Sequence, residues 1–137
     1  MNFSNRRVLI TGSTRGIGRV TAERFLSLGA RVAINGRSDA AVHQTIEEMG
    51  GGEQLVDASG DLSSLDACER VVERAVSGLG GLDVLVNNAG IYTLASVEES
   101  TESIWDTTMT VNVKSVFFCT RAALPALRAG DAGGVVN

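Results

Sequence analysis

Several residue types and patterns are scarce in this 137-residue sequence, and each scarcity argues against a class of protein. Its two cysteines, Cys68 and Cys119, lack the spacing of a metal site or a disulfide framework, so we expect buried, reduced thiols. No apolar run approaches the roughly 18 residues that a membrane-spanning helix needs. Lysine and arginine number 12 against 16 acids and form no basic block, which argues against a nucleic-acid partner. We expect no metal, membrane or nucleic-acid ligand.

Histidine and secretory features are equally scarce. The only histidine, His43, falls on a predicted helix, where a surface position is favoured over a catalytic one. Residues 1–7 contain no apolar segment of the kind that follows the start of a secretory signal. We therefore expect a cytoplasmic protein. Hydrophobic residues make up 44% and charged residues 20%, which is ordinary for one globular domain.

Short β-rich runs alternate along the chain with helical patterns. This alternation predicts an α/β fold, a Rossmann-like, doubly wound parallel sheet with helices on both faces. The predicted strands are 7–10, 31–35, 53–58, 82–86 and the opening of a fifth at 135–137. The predicted helices are 18–28 with Gly29 as its cap, one from Ser38 to the glycines at 50–52, one from Ser63 or Ser64 to Gly80, and two in near succession within 101–129.

The residues between the first strand and the first helix read Thr-Gly-Ser-Thr-Arg-Gly-Ile-Gly, residues 11–18. The amides of such a turn and the positive end of the helix dipole both favour an anion. Glycine is needed where the backbone turns sharply, approaches a pyrophosphate, or packs a helix closely on a strand. We therefore expect a dinucleotide to bind at Gly12, Ser13, Thr14, Arg15, Gly16, Ile17 and Gly18.

The spacing Thr-Gly-x-x-x-Gly-Ile-Gly resembles the cofactor motif of the short-chain dehydrogenase/reductase family. Residues 87–90, Asn-Asn-Ala-Gly, follow the fourth predicted strand and resemble a second motif of that family. The resemblance implies an NAD(P)-dependent oxidoreductase that acts on a small carbonyl or alcohol and forms a homo-oligomer. It also implies that Asn88, Ala89 and Gly90 contact the cofactor, and that Asn112 holds a water in a proton relay. An exposed position on a helix is the alternative for Asn112.

The residues after the second predicted strand bear on the choice of dinucleotide. They read Asn35-Gly36-Arg37 and lack the carboxylate that usually binds the adenosine ribose of NAD. The guanidiniums of Arg15 and Arg37 could bind a 2′-phosphate instead, which favours NADP(H) over NAD(H). Alternatively, both arginines are solvated surface charges.

Asp61 and Leu62 follow the third predicted strand. In the family, a matching acid–leucine pair contacts the adenine of the cofactor, and we expect the same contact here. The alternative is that the Asp61 carboxylate caps the helix that follows.

The chemical half of the family's active site is missing from this chain. The family uses a serine and a Tyr-x-x-x-Lys pair, but the only tyrosine is Tyr92 and the only lysine is Lys114. We therefore expect residues 1–137 to be the dinucleotide-binding portion of a single domain that continues beyond them, with the sheet truncated at its fifth strand. The whole would be an NADP(H)-dependent oxidoreductase, and the alternative is a non-catalytic nucleotide-binding fragment. We expect the isolated chain to expose apolar surface, to leave the far edge of the fourth strand mostly unpaired, and to show no turnover.

Overall fold

A computed structural model describes residues 3–130 and 133–137 of the chain. Strands and helices alternate as predicted. In chain order the elements are β1 (Arg7–Ile10), α1 (Gly16–Ser27), β2 (Arg31–Ile34), α2 (Asp39–Glu48), β3 (Leu55–Asp57), α3 (Leu65–Leu79), β4 (Val84–Val86), α4 (Glu102–Met109), a π-helical turn (Thr110–Lys114), α5 (Ser115–Ala129) and β5 (Gly134–Val136).

The five strands form one parallel sheet in the order β3-β2-β1-β4-β5. The chain moves outward from β1 to β3 and then returns to the other side of β1, so the carboxyl ends of β1 and β4 flank the reversal in strand order. In open sheets of this kind ligands bind at that reversal. All three residues of β4 pair with β5, so the expectation of a mostly unpaired edge on β4 is wrong.

Successive residues of the central strands point to opposite faces of the sheet, and both faces are covered. In β1, Leu9 packs into a cluster with α3 and α5, whereas Val8 and Ile10 pack into a second cluster with α1 and α2. All three side chains are fully buried. Burial on both faces explains why Val8, Leu9 and Ile10 are all apolar, as is usual in a parallel sheet.

The helix ends follow local sequence signals. Ser38 and Ser64 accept hydrogen bonds from the third amide after them, as N-terminal caps do. Gly29, predicted as a cap, is the left-handed residue directly after the cap residue Leu28. The α1 helix begins at Gly16, two residues before the predicted start, since the Arg19 amide already donates to the Arg15 carbonyl.

Predicted and observed bounds differ elsewhere by one to three residues. The β2, β3 and β4 strands are shorter than predicted. The predicted pair of helices within 101–129 is confirmed as α4 and α5, joined by the π-helical turn. No helix in the described part of the chain is long and apolar enough to cross a membrane.

Candidate cofactor site

The glycine turn between β1 and α1 uses its three glycines in different ways. Gly12 and Gly16 have left-handed φ angles of 63° and 57°. A Cβ at Gly12 would lie 2.9 Å from the Ala89 Cα, and one at Gly18 would lie 2.5 Å from the Gly12 carbonyl oxygen. A Cβ at Gly16 would meet only open space. Positions 12 and 18 therefore require glycine for close packing, and position 16 for its backbone conformation.

The Asn-Asn-Ala-Gly segment after β4 holds this turn in place. The Asn88 carboxamide donates to the carbonyls of Thr11 and Gly12 at 2.9 and 3.1 Å. In return, the Thr11 hydroxyl accepts from the amides of Asn88 and Ala89, both at 3.0 Å. The two motifs, about 75 residues apart in sequence, thus form one hydrogen-bonded unit. Thr11 begins the glycine motif but is absent from the predicted site residues, because the sequence argument rested on the glycines and on groups that bind an anion.

The Ser13 side chain is fully buried in the turn. Its hydroxyl donates to the Ile10 carbonyl at 2.8 Å and accepts from the Asn35 amide at 2.9 Å. The hydroxyl therefore joins β1 to the end of β2, and Ser13 does not line the cleft. Its predicted contact with a cofactor stays a prediction.

Three arginines surround the cleft, but only one of them is neutralised. The Arg19 guanidinium bonds Glu48 at 2.5 Å and Glu23 at 3.1 Å. The hydrogen bond to Glu48 raises the pKa of Arg19, and the same bond lowers the pKa of Glu48. Across residues 3–130 and 133–137, the guanidiniums of Arg15 and Arg37 form no hydrogen bond or ion pair. Two positive charges are therefore available to an anion in the cleft.

Gly36 is the second residue after β2, in the segment where NAD-dependent Rossmann folds often place an acid. A Cβ at Gly36 would lie 2.6 Å from the Thr14 methyl carbon and 3.3 Å from a Val42 methyl carbon. The glycine turn therefore fills the space in which an acidic side chain at this position would begin.

The Asp61 carboxylate binds the turn that it precedes. It accepts from the Leu62 amide at 2.8 Å and from the Ser63 hydroxyl at 2.5 Å. The cap of α3 is Ser64, so the alternative reading of Asp61 as the helix cap is wrong. Leu62 belongs mainly to the core, with 6% of its surface exposed.

The loop before Asp61 is anchored by side chains that the sequence did not reveal. The Asp57 carboxylate accepts from the Ser59 amide at 2.6 Å and contacts His43 at 2.8 Å. Burial raises the pKa of Asp57, but the Ser59 and His43 contacts outweigh it, so that the net pKa is lowered. Arg74, on α3, donates to the carbonyl and the hydroxyl of Ser59, both at 2.9 Å.

Asn112 lies in the π-helical turn Thr110–Lys114, a geometry that often marks functional sites. Its carboxamide accepts from the Ile91 amide at 2.8 Å and donates to the Ile91 carbonyl at 2.9 Å. Asn112 therefore positions the chain that follows Gly90. Its predicted part in a proton relay stays a prediction.

These residues converge on one cleft of about 940 Å³ at the carboxyl ends of β1, β2 and β4. Neither Ser13 nor Asn112 lines it, although Ile91 and Val111 do. The predicted cofactor-binding residues that line the cleft are Gly12, Thr14, Arg15, Gly16, Ile17, Gly18, Arg37, Asp61, Leu62, Asn88, Ala89 and Gly90.

The cysteines lie away from this cleft, in the core between α3 and α5. Cys68 and Cys119 are 1% and 0% exposed, and both are free thiols, as predicted. The hydrogen bond between the Cys119 and Cys68 thiols, together with burial, raises the pKa of Cys119. Within the described part of the chain, no three histidine, cysteine or acidic side chains are placed to hold a metal ion.

Comparison with known proteins identifies the family of this chain. The model of the short chain dehydrogenase family matches residues 6–137. An uncharacterized oxidoreductase of Thermotoga maritima is 41% identical over 140 residues, and D-beta-hydroxybutyrate dehydrogenase of Cupriavidus necator is 36% identical over 136. They align with 100% and 98% of this chain, which covers 54% and 53% of their lengths.

A solved structure agrees with the sequence relatives. The crystal structure of a short-chain dehydrogenase/reductase, glucose/ribitol dehydrogenase from Brucella melitensis, superposes with a TM-score of 0.87 at 34% identity. The alignment covers 93% of this chain and 54% of that one. The chain spans about half the length of the curated relatives it matches. With the glycine turn, the Asn-Asn-Ala-Gly segment and the parallel sheet in place, the chain belongs to the short-chain dehydrogenase family.

Proposed function

We propose that this chain forms the cofactor-binding half of an NADP(H)-dependent oxidoreductase that acts on a carbonyl/hydroxyl pair. The observation that carries the choice of cofactor is the pair of uncommitted guanidiniums, Arg15 and Arg37, beside Gly36. An acid directly after β2 would repel a 2′-phosphate, and residues 35–38 contain none. A guanidinium instead matches a phosphate with two hydrogen bonds.

Different residues of the cleft would bind different parts of the dinucleotide. No side chain caps the N terminus of α1, so its first amides are open to the pyrophosphate at the glycine turn. Arg37 and Asp61 lie at the adenosine end, and Gly90 and Ile91 lie beside Asn112 at the nicotinamide end. When bound, the nicotinamide supplies or accepts the hydride. Asn112 keeps the loop after Gly90 in position, and the family resemblance adds a relay water to its role.

The substrate that we propose is a small carbonyl compound or alcohol. A cytoplasmic homo-oligomer remains our expectation for the complete protein. Neither Tyr92 nor Lys114 provides the Tyr-x-x-x-Lys pair, so we propose that the chain by itself binds cofactor without turning it over. The same absence favours a second candidate function, a non-catalytic nucleotide-binding fragment. The coding sequence past Asn137 separates the two: an in-frame continuation with a serine and then Tyr-x-x-x-Lys supports the oxidoreductase, and a stop codon supports the fragment. Consumption of NADPH by Met1–Asn137 with a panel of small ketones and aldehydes would contradict the missing-pair argument.

Titration with NADPH and NADH tests the cofactor proposal. Arg37→Asp should weaken NADPH by about 1.5–3 kcal/mol, or roughly 10- to 150-fold, because a charge-assisted contact is replaced by repulsion. NADH should be much less affected. The matched control is Arg70→Asp on α3, which changes the net charge equally at an exposed position outside the cleft. Equal losses for both cofactors, or an equal loss in the control, would contradict a phosphate contact at Arg37.

A further inference from the structure

The buried carboxamide of Asn35 lies between the two parts of the cleft. Asn35 directly follows β2 and is 1% exposed. Its Oδ1 accepts from the Gly12 amide at 3.1 Å, in the glycine turn. Its Nδ2 donates to the carbonyls of Ala58 and Gly60, at 2.9 and 3.2 Å, in the loop that leads to Asp61. One side chain thus bonds both walls of the cleft.

The hydrogen-bonding pattern fixes the orientation of this carboxamide. Both Nδ2 protons face carbonyl oxygens, and Oδ1 faces an amide proton. A flipped carboxamide would place an oxygen against the two carbonyls of the loop and an amino group against the Gly12 amide. Because every partner is a backbone group, no side-chain rotation could relieve those contacts. Asparagine is therefore the residue that this position requires.

The two walls that Asn35 joins hold different parts of the proposed ligand. The glycine turn faces the pyrophosphate, and the loop before Asp61 faces the adenosine. The loop has other anchors, since the Gly60 amide donates to the Gly36 carbonyl at 2.9 Å and Arg74 holds Ser59. Of these contacts, only the Asn35 side chain also reaches the Gly12 amide.

We propose that Asn35 is a positioning residue that sets the spacing between the pyrophosphate turn and the adenosine loop. It acts through Gly12 and Gly60 and need not touch the cofactor. This inference rests on the proposed function, since spacing matters only for a ligand that spans both walls. A ligand held at two subsites gains affinity only if their spacing matches its length.

The test compares a ligand that places a pyrophosphate at the glycine turn with one that lacks the pyrophosphate. NADPH spans both walls, whereas adenosine 2′-monophosphate carries the adenine and the 2′-phosphate without the pyrophosphate. Asn35→Asp keeps the shape and the acceptor for Gly12 but turns an oxygen toward the carbonyls of Ala58 and Gly60. We expect NADPH to weaken by about 10-fold or more and adenosine 2′-monophosphate by less than about 3-fold. Equal weakening of both ligands, or of neither, would overturn the proposal.

Asn87→Asp is the matched control, at the residue that directly follows β4. Asn87 is 9% exposed, and its carboxamide donates to the side chains of Thr120 and Asn137 rather than to the cleft walls. The control should leave the ratio of the two affinities at its unsubstituted value. A ratio that changes as much as in Asn35→Asp would assign the effect to general loosening and overturn the proposal.

Amide hydrogen exchange provides a readout that needs no ligand. Asn35→Ala should accelerate exchange in peptides that contain Gly12 and in peptides that contain residues 58–61, beyond any change in Asn87→Ala. Acceleration confined to one wall, or absent from both, would overturn the coupling. If the unsubstituted chain binds no NADPH, the proposed function fails, and amide exchange still decides whether Asn35 joins the two walls.

Discussion

Replacing Gly18 by alanine should be far more damaging than the same replacement at Gly16, two residues earlier in one turn. A Cβ at Gly18 would lie 2.5 Å from the Gly12 carbonyl oxygen and closer still to the side-chain nitrogen Nδ2 of Asn88. Neither group can retreat freely, since the first is backbone and the second is hydrogen-bonded to Thr11 and Gly12. The expected damage is therefore to the contact between the turn and the Asn-Asn-Ala-Gly segment.

Opposing contributions set the change in the free energy of unfolding that Gly18→Ala causes. Alanine would favour the helix by about 1 kcal/mol over glycine. Overpacking against fixed neighbours costs about 1–3 kcal/mol, and the two Asn88 hydrogen bonds contribute about 1 kcal/mol each. We expect Gly18→Ala to lower the free energy of unfolding by about 2–4 kcal/mol. A Cβ at Gly16 would contact no described residue beyond its own helix and chain neighbours. The left-handed φ of 57° is then what opposes alanine, at about 1 kcal/mol.

Urea denaturation followed by circular dichroism measures both variants, and NADPH titration follows on the variants that fold. We expect NADPH binding to be lost in Gly18→Ala, because the displaced turn no longer presents its amides. The sequence explained glycine at position 18 by close approach of the pyrophosphate, whereas the structure explains it by packing inside the protein. Equal destabilisation at positions 16 and 18, or an unchanged Gly18→Ala, would refute this reasoning.

Two further predictions concern stability and association. The Arg7 guanidinium donates two hydrogen bonds to the Asp83 carboxylate and lowers the pKa of Asp83. The ionised carboxylate therefore stabilises the folded chain fully above its unfolded pKa of about 3.9. This stabilisation is lost as the pH falls through the lower pKa of the folded state. Asp83→Asn should cost about 2–4 kcal/mol in urea denaturation at pH 7 and flatten the acid limb of stability, and an unchanged acid limb would contradict it. Phe117 and Val113 are 64% and 52% exposed on neighbouring turns, and exposed apolar surface of this kind favours association. The chain should therefore elute from a sizing column above its monomer mass. Phe117→Glu should shift the elution toward the monomer. Elution of the unsubstituted chain as a monomer would contradict that prediction.

The sequence by itself determined the features that depend on residues close to one another along the chain. The alternation of short β-rich runs with helical patterns predicted the parallel sheet, because a helix between two strands returns the chain so that they can pair in parallel. Ser38 was predicted as a helix cap because a cap bonds an amide only three residues away. The glycine turn was found from its spacing between a strand and a helix.

Only the tertiary structure decided which side chains join distant segments. Asn35 precedes a glycine and an arginine in sequence, and nothing there indicates that its carboxamide bonds Gly12 on one side and Gly60 on the other. Ser13 belongs to the cofactor motif, yet its hydroxyl turns inward to β1 and β2. Asn112 is exposed on the π-helical turn, and the tertiary structure decides that its carboxamide bonds the Ile91 backbone. The physical reason is that buried polar groups must be paired, and strand order decides which groups are within reach.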